Sequence, residues 1–258
     1  MGKHIGLRLA AVVVCLIAEV VFSSPSQALM LVSRKQEVSI GKQVQEEIVA
    51  EFGGLSIDKT QTERVQRIGA SIAAFSPRKD VTYSYQLLNS SIINAFSAPG
   101  GPVLVTQRLA GMMSSDDELA FVLGHETGHI AAQHARGMIN RSLITQGVAT
   151  ILFGGASSAV QTGVNLTYTL YDRGYSRNLE YQADDYGIKL MRQAGYNPEG
   201  AVKALAKLGI DTSRGLNKYL ATHPDIPRRI DRVGKITGIS ATRQQELINE
   251  ARAEIAVK

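Results

Sequence analysis

Five consecutive residues of this 258-residue chain have the types and the spacing of a zinc site with a base beside it. His125 and His129 lie four residues apart, so on a helix both imidazoles leave one face and can bind a single metal ion. Glu126 would then lie beside the metal, where its carboxylate can take a proton from water. This segment therefore predicts metal-dependent hydrolysis, and a helix with two surface histidines is the alternative.

The residues before this segment predict the helix that carries it. Ser115 and Glu118 have the Ser-x-x-Glu spacing of a capping box, so we expect the helix to begin there. No proline follows before Gly137, which is a plausible stop. Gly124 and Gly128 lower helix propensity, and we expect a close approach of another group there or simply tight helix packing.

A catalytic zinc site needs three protein ligands as well as water, so two histidines do not complete it. Residues 127–171 contain no aspartate or glutamate, which excludes the short-spaced glutamate of thermolysin-like enzymes. The glycine and histidine that a metzincin has three and six residues after its second histidine are absent too. His134 follows His129 by five residues, about 140° round a continuous helix, and is expected at the surface.

The remaining candidates for the third ligand are carboxylates further along the chain. Glu180 and Asp184 lie four residues apart in a helix predicted over 177–193, so both carboxylates share one face. One can bind zinc while the other accepts a hydrogen bond from a ligand histidine, and the small Ala183 would let the two helices lie close. A solvated acidic face is the alternative, and Asp172, in a glycine-bearing loop, is a weaker competitor.

The other elements follow from hydrophobic periodicity and turn residues. Thr60 and Glu63 repeat the capping-box spacing, and Pro99-Gly100-Gly101 predicts a tight turn between two strands. The order of elements indicates an α+β fold, mainly helical, with a small antiparallel sheet next to the metal helix, and not repeated βαβ units. Helices are predicted over 34–52, 58–75, 177–193, from 197 and over 241–257, and strands over 81–88, 92–98 and 102–106.

The first 28 residues have the parts of an export signal. Lys3 and Arg8 make the beginning positive, residues 9–17 are apolar, and Ser26-Gln27-Ala28 forms a small-x-small cleavage site. We therefore expect a cleaved signal peptide over 1–28 and a periplasmic or secreted protein.

One zinc peptidase domain over 29–258 is expected to follow this signal. A retained membrane anchor is the alternative to cleavage, and Glu19 argues against a clean membrane span. The only cysteine, Cys15, lies inside the signal, so the domain would fold without disulfides.

The charge of the chain and one apolar segment bear on its partners. The net charge of +5 is spread without a lysine- or arginine-rich block, so nucleic acid is not an expected partner. Peripheral association with anionic lipid is compatible with this charge, and nothing in the sequence specifies an oligomeric state. Residues 138–171 are apolar and small, and we expect a helical hairpin that covers the cleft or docks on a membrane surface.

With these motifs in place, the chain resembles metallopeptidase family 48, the gluzincin group that includes HtpX, BepA and Oma-type zinc endopeptidases. The resemblance runs in the family's order from about residue 35 to residue 235 and is closest to its soluble, exported members. The matching motifs are Asn94-Ala95-Phe96 with Pro99-Gly100-Gly101, His125 to His129, Glu180-x-x-Ala183-Asp184, and Thr222-His223-Pro224 with Arg228.

The resemblance implies the same metal site as the spacing. His125, His129 and Glu180 would bind one zinc ion per chain, and Glu126 would act as the general base. The implied function is a zinc-dependent endopeptidase acting on extended or misfolded polypeptides in envelope protein quality control. A zinc-binding chaperone or adaptor with a closed or inactive cleft is the alternative.

Six further residues receive expected roles around that site. His223 would donate to the tetrahedral oxyanion, or would occupy the open zinc position in a resting state, and loop packing beside Pro224 is the alternative to both. Asp184 and Arg228 are expected to support the ligands. Arg228 would pair with an acid near the site, or alternatively would be solvated at the surface. The strand with Asn94, Ala95 and Phe96 is expected at the cleft edge, where extended substrate could pair with its backbone, or alternatively inside the sheet.

Overall fold

A computed structural model describes residues 32–153, 174–210 and 222–256, so the predicted signal and positions 154–171 of the predicted hairpin lie outside the described residues. Within these ranges, no helix has both the length and the apolar composition needed to cross a membrane. In chain order the elements are α1 (Arg34–Glu51), α2 (Lys59–Ala73), β1 (Ser84–Leu88), β2 (Ala95–Ser97), β3 (Pro102–Thr106), α3 (Gln107–Met112), α4 (Asp116–Ala131), α5 (His134–Phe153), α6 (Arg177–Gln193), α7 (Glu199–Ile210), α8 (Ile226–Thr237) and α9 (Ala241–Ala256).

The mainly helical α+β fold and most predicted elements are confirmed, whereas several boundaries and caps differ. The helix α2 begins after Asp58, whose carboxylate accepts a hydrogen bond from the Gln61 N–H at 3.0 Å, so the predicted Thr60–Glu63 box is not used. Ser115 does cap α4, accepting from the Glu118 N–H at 3.3 Å. Local spacing locates a helix start within a few residues, and the geometry then selects which side chain caps it.

The sheet has the strand order β1-β3-β2 and is mixed, so the predicted antiparallel sheet is wrong in one of its two pairings. The strands β2 and β3 form the predicted antiparallel hairpin around Pro99-Gly100-Gly101, where both glycines have positive φ. The strand β1 pairs in parallel with β3, with Ser84 opposite Pro102. The strands β1 and β2 are not adjacent in the sheet. After the turn, β3 lies between them and pairs with both.

Alternate side chains of β3 enter two hydrophobic clusters on opposite faces of the sheet. Val103 and Val105 belong to the larger cluster, which includes side chains of α2, α4, α6 and α7. Leu104 points to the other face and packs with Val44 and Ile48 of α1. The sheet therefore lies between α1 and the layer of helices that contains α4.

The helix α4 is central, and every residue from Glu118 to Ala131 is buried. The sheet holds it through Tyr85, whose hydroxyl is 2.8 Å from the Thr127 hydroxyl. The helix ends at Ala131 and not near the predicted stop, because Gln133 has a φ of 57° and a new helix, α5, begins at the next residue. A left-handed residue cannot continue an α-helix, and nothing in the local sequence signals this one.

The backbones of α4 and α6 touch where both helices have small residues. A Cβ added to Gly124 would lie 3.1 Å from the Gly187 carbonyl oxygen, and one added to Gly128 would lie 2.8 Å from the Ala183 oxygen. Because backbone atoms cannot move aside easily, glycine is needed for this separation. The close approach that Gly124, Gly128 and Ala183 predict is therefore present.

We expect Gly128→Ala to destabilise the protein although alanine favours helix by about 1 kcal/mol. The added methyl group meets the Ala183 backbone and should lower the free energy of unfolding by about 1–3 kcal/mol, measured by urea denaturation of the metal-free chain. The control is Gly137→Ala in α5, where an added Cβ meets no atom of the described residues within 4 Å. Equal stability changes in the two variants would contradict the close-contact account.

Candidate active site

Two histidines of α4 face α6 with their ring nitrogens close together. His125 and His129 are 1% and 2% exposed, and their Nε2 atoms lie 3.1 Å apart. This follows from their four-residue spacing on a regular helix. The two rings therefore present converging nitrogens to one small buried volume.

The helix α6 places a carboxylate against both nitrogens. Glu180 is fully buried, with Oε2 at 3.5 Å from His125 Nε2 and Oε1 at 3.4 Å from His129 Nε2. Asp184, one turn further on, lies behind the cluster with Oδ1 2.9 Å from His125 Nδ1. Of the carboxylates that the sequence leaves as candidates, Glu180 faces the cluster and Asp184 faces the far side of a ring. The weaker candidate, Asp172, lies outside the described residues.

His223, just before α8, completes the group. Its Nδ1 lies 3.1 Å from Glu180 Oε2 and 3.4 Å from His125 Nε2, while its Nε2 lies 3.6 Å from Glu126 Oε1. Glu126 is 1% exposed, and its Oε1 makes no hydrogen bond within the described part of the chain. A buried carboxylate oxygen thus remains available beside the cluster.

The four side chains fit a tetrahedral zinc ion. Ligand atoms of His125, His129, Glu180 and His223 all lie within 4.8 Å of one another. Bonds of about 2.1 Å to a tetrahedral zinc require ligand atoms about 3.4 Å apart, which is close to the observed separations. Imidazole nitrogens and a carboxylate are also the donors that zinc prefers. The residues present therefore suit this metal.

The formal charges around the cluster also favour a cation. Three carboxylates meet there, those of Glu126, Glu180 and Asp184, and one guanidinium, that of Arg229, lies against two of them. These side chains leave two negative charges in excess in a buried volume. Buried charge is costly unless it is compensated, and a divalent cation would compensate it.

The same buried charges shift the pKa values of the clustered side chains. Burial alone would raise the pKa of Glu180, but His223 and Arg229 hold it well below the usual range of a glutamate. The pKa of Asp184 is also lowered, because Arg229 and His125 outweigh burial. Burial and Arg229 would lower the pKa of His125, yet Glu180 and Asp184 raise it to about 9. Positive charge between these carboxylates is therefore strongly favoured.

The arginine that contacts the clustered carboxylates is Arg229 and not Arg228, for which the alternative of a solvated surface position holds. Arg228 has a side chain 68% exposed and lies 3.6 Å from Asp225, away from the cluster. Its neighbour Arg229 is fully buried, donates to both Asp184 oxygens at 2.7 and 2.8 Å, and lies 3.0 Å from Glu180 Oε2. The apolar periodicity of α8 (buried Ile226, Arg229 and Val233) could have selected Arg229, since these residues share one face.

His134 also departs from its prediction, because it is buried at 4% exposure and not at the surface. Its Nδ1 lies 2.9 Å from His129 Nδ1. The projection to the surface assumed one continuous helix, and the break at Gln133 removes that assumption. Tyr175 is a second residue that the sequence analysis missed, and its ring stacks on His129 with centroids 4.0 Å apart.

The strand β2 lies at an edge of the three-stranded sheet, beside α4. Asn94, just before it, is 1% exposed, and its amide nitrogen has no hydrogen-bond partner among the described residues. Ala95 is in the larger hydrophobic cluster, and Phe96 points to the opposite cluster, where it packs edge-on against Phe52. The side chains of Ala95 and Phe96 are therefore engaged in the two hydrophobic clusters on opposite faces of the sheet.

A small cavity of about 10 Å³, room for about one water molecule, lies between this strand and α4. Ser97 and Pro99 line one side, and His129 and Tyr175 line another. Glu37 and Arg136 add two opposite charges to its wall. The cavity therefore borders both an edge strand and one of the clustered histidines.

Comparison with known proteins agrees with this geometry. The profile described as Peptidase family M48 matches residues 59–237. The chain is 31% identical over 212 residues to the mitochondrial metalloendopeptidase OMA1 of Schizosaccharomyces pombe, covering 78% of this chain and 61% of that protein. It is 33% identical over 130 residues to the metalloprotease LoiP of Escherichia coli, covering 48% of this chain and 51% of the relative.

A third relative is the beta-barrel assembly-enhancing protease of Yersinia pestis, 30% identical over 183 residues, with coverage of 66% of this chain and 37% of the relative. The chain thus spans less than two thirds of the length of each of these curated relatives. The family profile nevertheless covers well over half of the chain and includes the metal helix, Glu180 and His223. The chain therefore belongs to Peptidase family M48.

Proposed function

We propose that this protein is a zinc-dependent endopeptidase that hydrolyses peptide bonds in extended or misfolded polypeptides. The observation that carries the proposal is the buried cluster of His125, His129 and Glu180, beside which Glu126 Oε1 makes no hydrogen bond to any described residue. Two of the ligands and the base come from a five-residue segment of α4. The third ligand comes from α6, which packs against it. Membership of a peptidase family supports the same reaction class.

His125, His129 and Glu180 would hold the zinc ion, one per chain, through two nitrogens and a carboxylate oxygen. When bound, zinc supplies a Lewis acid that polarises a carbonyl and lowers the pKa of a coordinated water to about 7. The surrounding buried side chains exclude bulk water, which strengthens each electrostatic interaction in the site.

Glu126 would act as the general base and then as the general acid. Its buried carboxylate takes a proton from the attacking water, and the water oxygen forms the new bond to the scissile carbonyl carbon. The same carboxylate then gives that proton to the departing amine as the carbon–nitrogen bond breaks. The lack of a hydrogen bond to Oε1 within the described ranges supports this role, because a base that is already hydrogen-bonded would have to give up a partner first.

His223 has two candidate roles, and its position favours one of them. The Nδ1 atom lies 3.4 Å from His125 Nε2 and 3.1 Å from Glu180 Oε2, so the His223 ring could supply a fourth ligand to a metal ion held by this cluster. We infer that His223 caps the metal site in a resting state and must withdraw before substrate enters. Donation to the oxyanion is the alternative role and would use the ring after it has moved.

Substrate would bind as an extended segment along β2. This strand is at the edge of the sheet, and the adjoining cavity borders Ser97 and His129. Main-chain pairing with an edge strand provides affinity with little dependence on sequence, which suits unfolded polypeptides. The amide nitrogen of Asn94, which makes no hydrogen bond to a described residue, would help to hold the strand edge or the substrate backbone.

We propose that the protein works in the quality control of envelope proteins, in the periplasm or outside the cell. The predicted export signal over 1–28 supports this location, and retention of that segment would leave the enzyme anchored at the membrane. One relative is named for enhancing the assembly of beta-barrels, which supports envelope proteins as substrates. A zinc-binding chaperone or adaptor with a shut cleft is the rival, and the capped position of His223 is the observation that favours it.

Asp184 and Arg229 would keep His125 in its binding orientation. Asp184 accepts a hydrogen bond from the His125 Nδ1–H, which leaves Nε2 with a free electron pair for the metal. Arg229 in turn pairs with Asp184 and Glu180 at once. Removal of Arg229 would leave two buried carboxylates without their permanent positive partner.

We expect Glu126→Gln to bind zinc as tightly as wild type and to cleave nothing, because an amide cannot accept the proton from water. The measurements are metal content and degradation of an unfolded model protein such as casein. Degradation by the variant at the wild-type rate would show that the assigned base is wrong. Absence of degradation by zinc-loaded wild type would favour the chaperone or adaptor.

We expect His223→Ala to bind zinc less tightly, because it loses the capping nitrogen, and to cleave casein at saturating zinc at least as fast as wild type. A chelator competition assay measures the affinity, and a peptide cleavage assay measures kcat. A fall in kcat of about 10²–10³ at full zinc occupancy would contradict the cap and support oxyanion stabilisation.

The adjacent arginines provide a matched pair of substitutions. Arg229→Met should lower the free energy of unfolding by about 3–5 kcal/mol, because it strands Asp184 and Glu180 in the interior. Arg228→Met should change it by less than about 0.5 kcal/mol, since that side chain is exposed. Denaturant unfolding in the presence of a chelator measures both. A larger loss in the Arg228 variant would contradict the assignment of the buried partner.

A further inference from the structure

The ring of His129 makes a contact that the proposed chemistry does not use. Its Nε2 faces the cluster, and its Nδ1, on the opposite side of the ring, lies 2.9 Å from Nδ1 of His134. The other ring nitrogen of His134, Nε2, lies 2.7 Å from the side-chain oxygen of Gln182 on α6. Three side chains therefore form a hydrogen-bonded line that leads from the surface of α6 to the cluster.

The break between α4 and α5 creates this contact. On a continuous helix, His134 would point about 140° away from His129. The left-handed Gln133 instead starts a new helix at His134, and the His134 ring turns back to meet His129 edge-to-face at 5.0 Å between centroids. A non-glycine residue with positive φ has a conformational cost, and residues in such strained conformations cluster at functional sites.

The proton positions along this line follow from one requirement. Nε2 of His129 can offer an electron pair to a metal only if the ring proton is on Nδ1. That Nδ1–H must then donate to His134, whose Nδ1 must be an acceptor. The His134 proton therefore sits on Nε2 and donates to the Gln182 oxygen, which agrees with the observed partner.

We propose that His134 is a positioning residue, which together with Gln182 holds His129 in the tautomer and orientation needed to bind the metal. The inference rests on the metal-dependent function proposed above and assigns roles to two side chains outside the ligand set. Tyr175 assists from another direction, since its ring is stacked on the His129 face at an angle of 21°. The ring of His129 is thus fixed both at its edge and on its face.

The two ligand histidines are oriented by partners of different charge. His125 donates to a carboxylate, that of Asp184, whereas His129 donates to a neutral imidazole. The site already has an excess of negative charge, and a further buried carboxylate behind His129 would add to it. A neutral acceptor provides the hydrogen bond and the orientation without that cost.

The test compares His134→Phe, which keeps a ring without an acceptor, with His134→Asn, whose side-chain oxygen can replace the Nδ1 acceptor. In the metal-free full chain, nitrogen-15 NMR of the His129 ring should show Nδ1–H in wild type and in His134→Asn, and a mixture of tautomers in His134→Phe. The zinc affinity of His134→Phe, from chelator competition, should fall about 10–100-fold, and His134→Asn should recover most of it.

A second pair of variants leaves the buried His134 ring unchanged. Gln182→Lys places a donor against His134 Nε2, which reverses the proton order and should weaken zinc binding. Asn178→Lys adds the same charge one turn earlier on the exposed side of α6 and should leave the affinity near that of wild type. Equal effects of the two lysines would mean that charge alone acts and would overturn the proposal.

Two other results would overturn it as well: a wild-type His129 protonated on Nε2, or a His134→Asn variant that binds zinc as weakly as His134→Phe. The latter would mean that His134 only fills space. Failure of the peptidase proposal is distinguishable, because it would appear as zinc-loaded wild type that does not cleave. The NMR and affinity measurements need no catalysis and would still decide the role of His134.

Discussion

The contact between the backbones of α4 and α6 is the constraint on which the site depends. His125 and His129 are on one helix and Glu180 is on the other, so their separation is the separation of the helices. Glycines at 124 and 128 face Gly187 and Ala183, and a Cβ at either glycine would lie 3.1 Å or less from the opposing backbone. The Glu180 side chain is short, so its carboxylate reaches both imidazoles because the two helix backbones lie this close together.

This close packing also buries charge, and the charges are then matched locally. Arg229 from α8 pairs with Asp184 and Glu180 from α6, and Asp184 holds His125 of α4. Three helices are therefore joined through one guanidinium and two carboxylates. Such a network stabilises little by itself, because desolvation offsets much of the attraction, but it is costly to break. Its value lies in the fixed orientation of the ligands.

Local patterns predicted much of this arrangement. The four-residue spacings of the histidines and of the carboxylates depend only on helix geometry, so they placed both pairs on their faces correctly. The small residues likewise signalled a close contact. The predictions failed where a tertiary event intervened: the left-handed Gln133 ended α4 and turned His134 inward, and β3 inserted beside β1 in parallel.

The most direct test of the account is anomalous diffraction at the zinc edge from crystals of the zinc-loaded protein. The account predicts one ion per chain, bound by Nε2 of His125, Nε2 of His129 and a carboxylate oxygen of Glu180 at about 2.0–2.2 Å. An ion elsewhere, or a Glu180 carboxylate beyond bonding distance of an ion held by the two histidines, would contradict it.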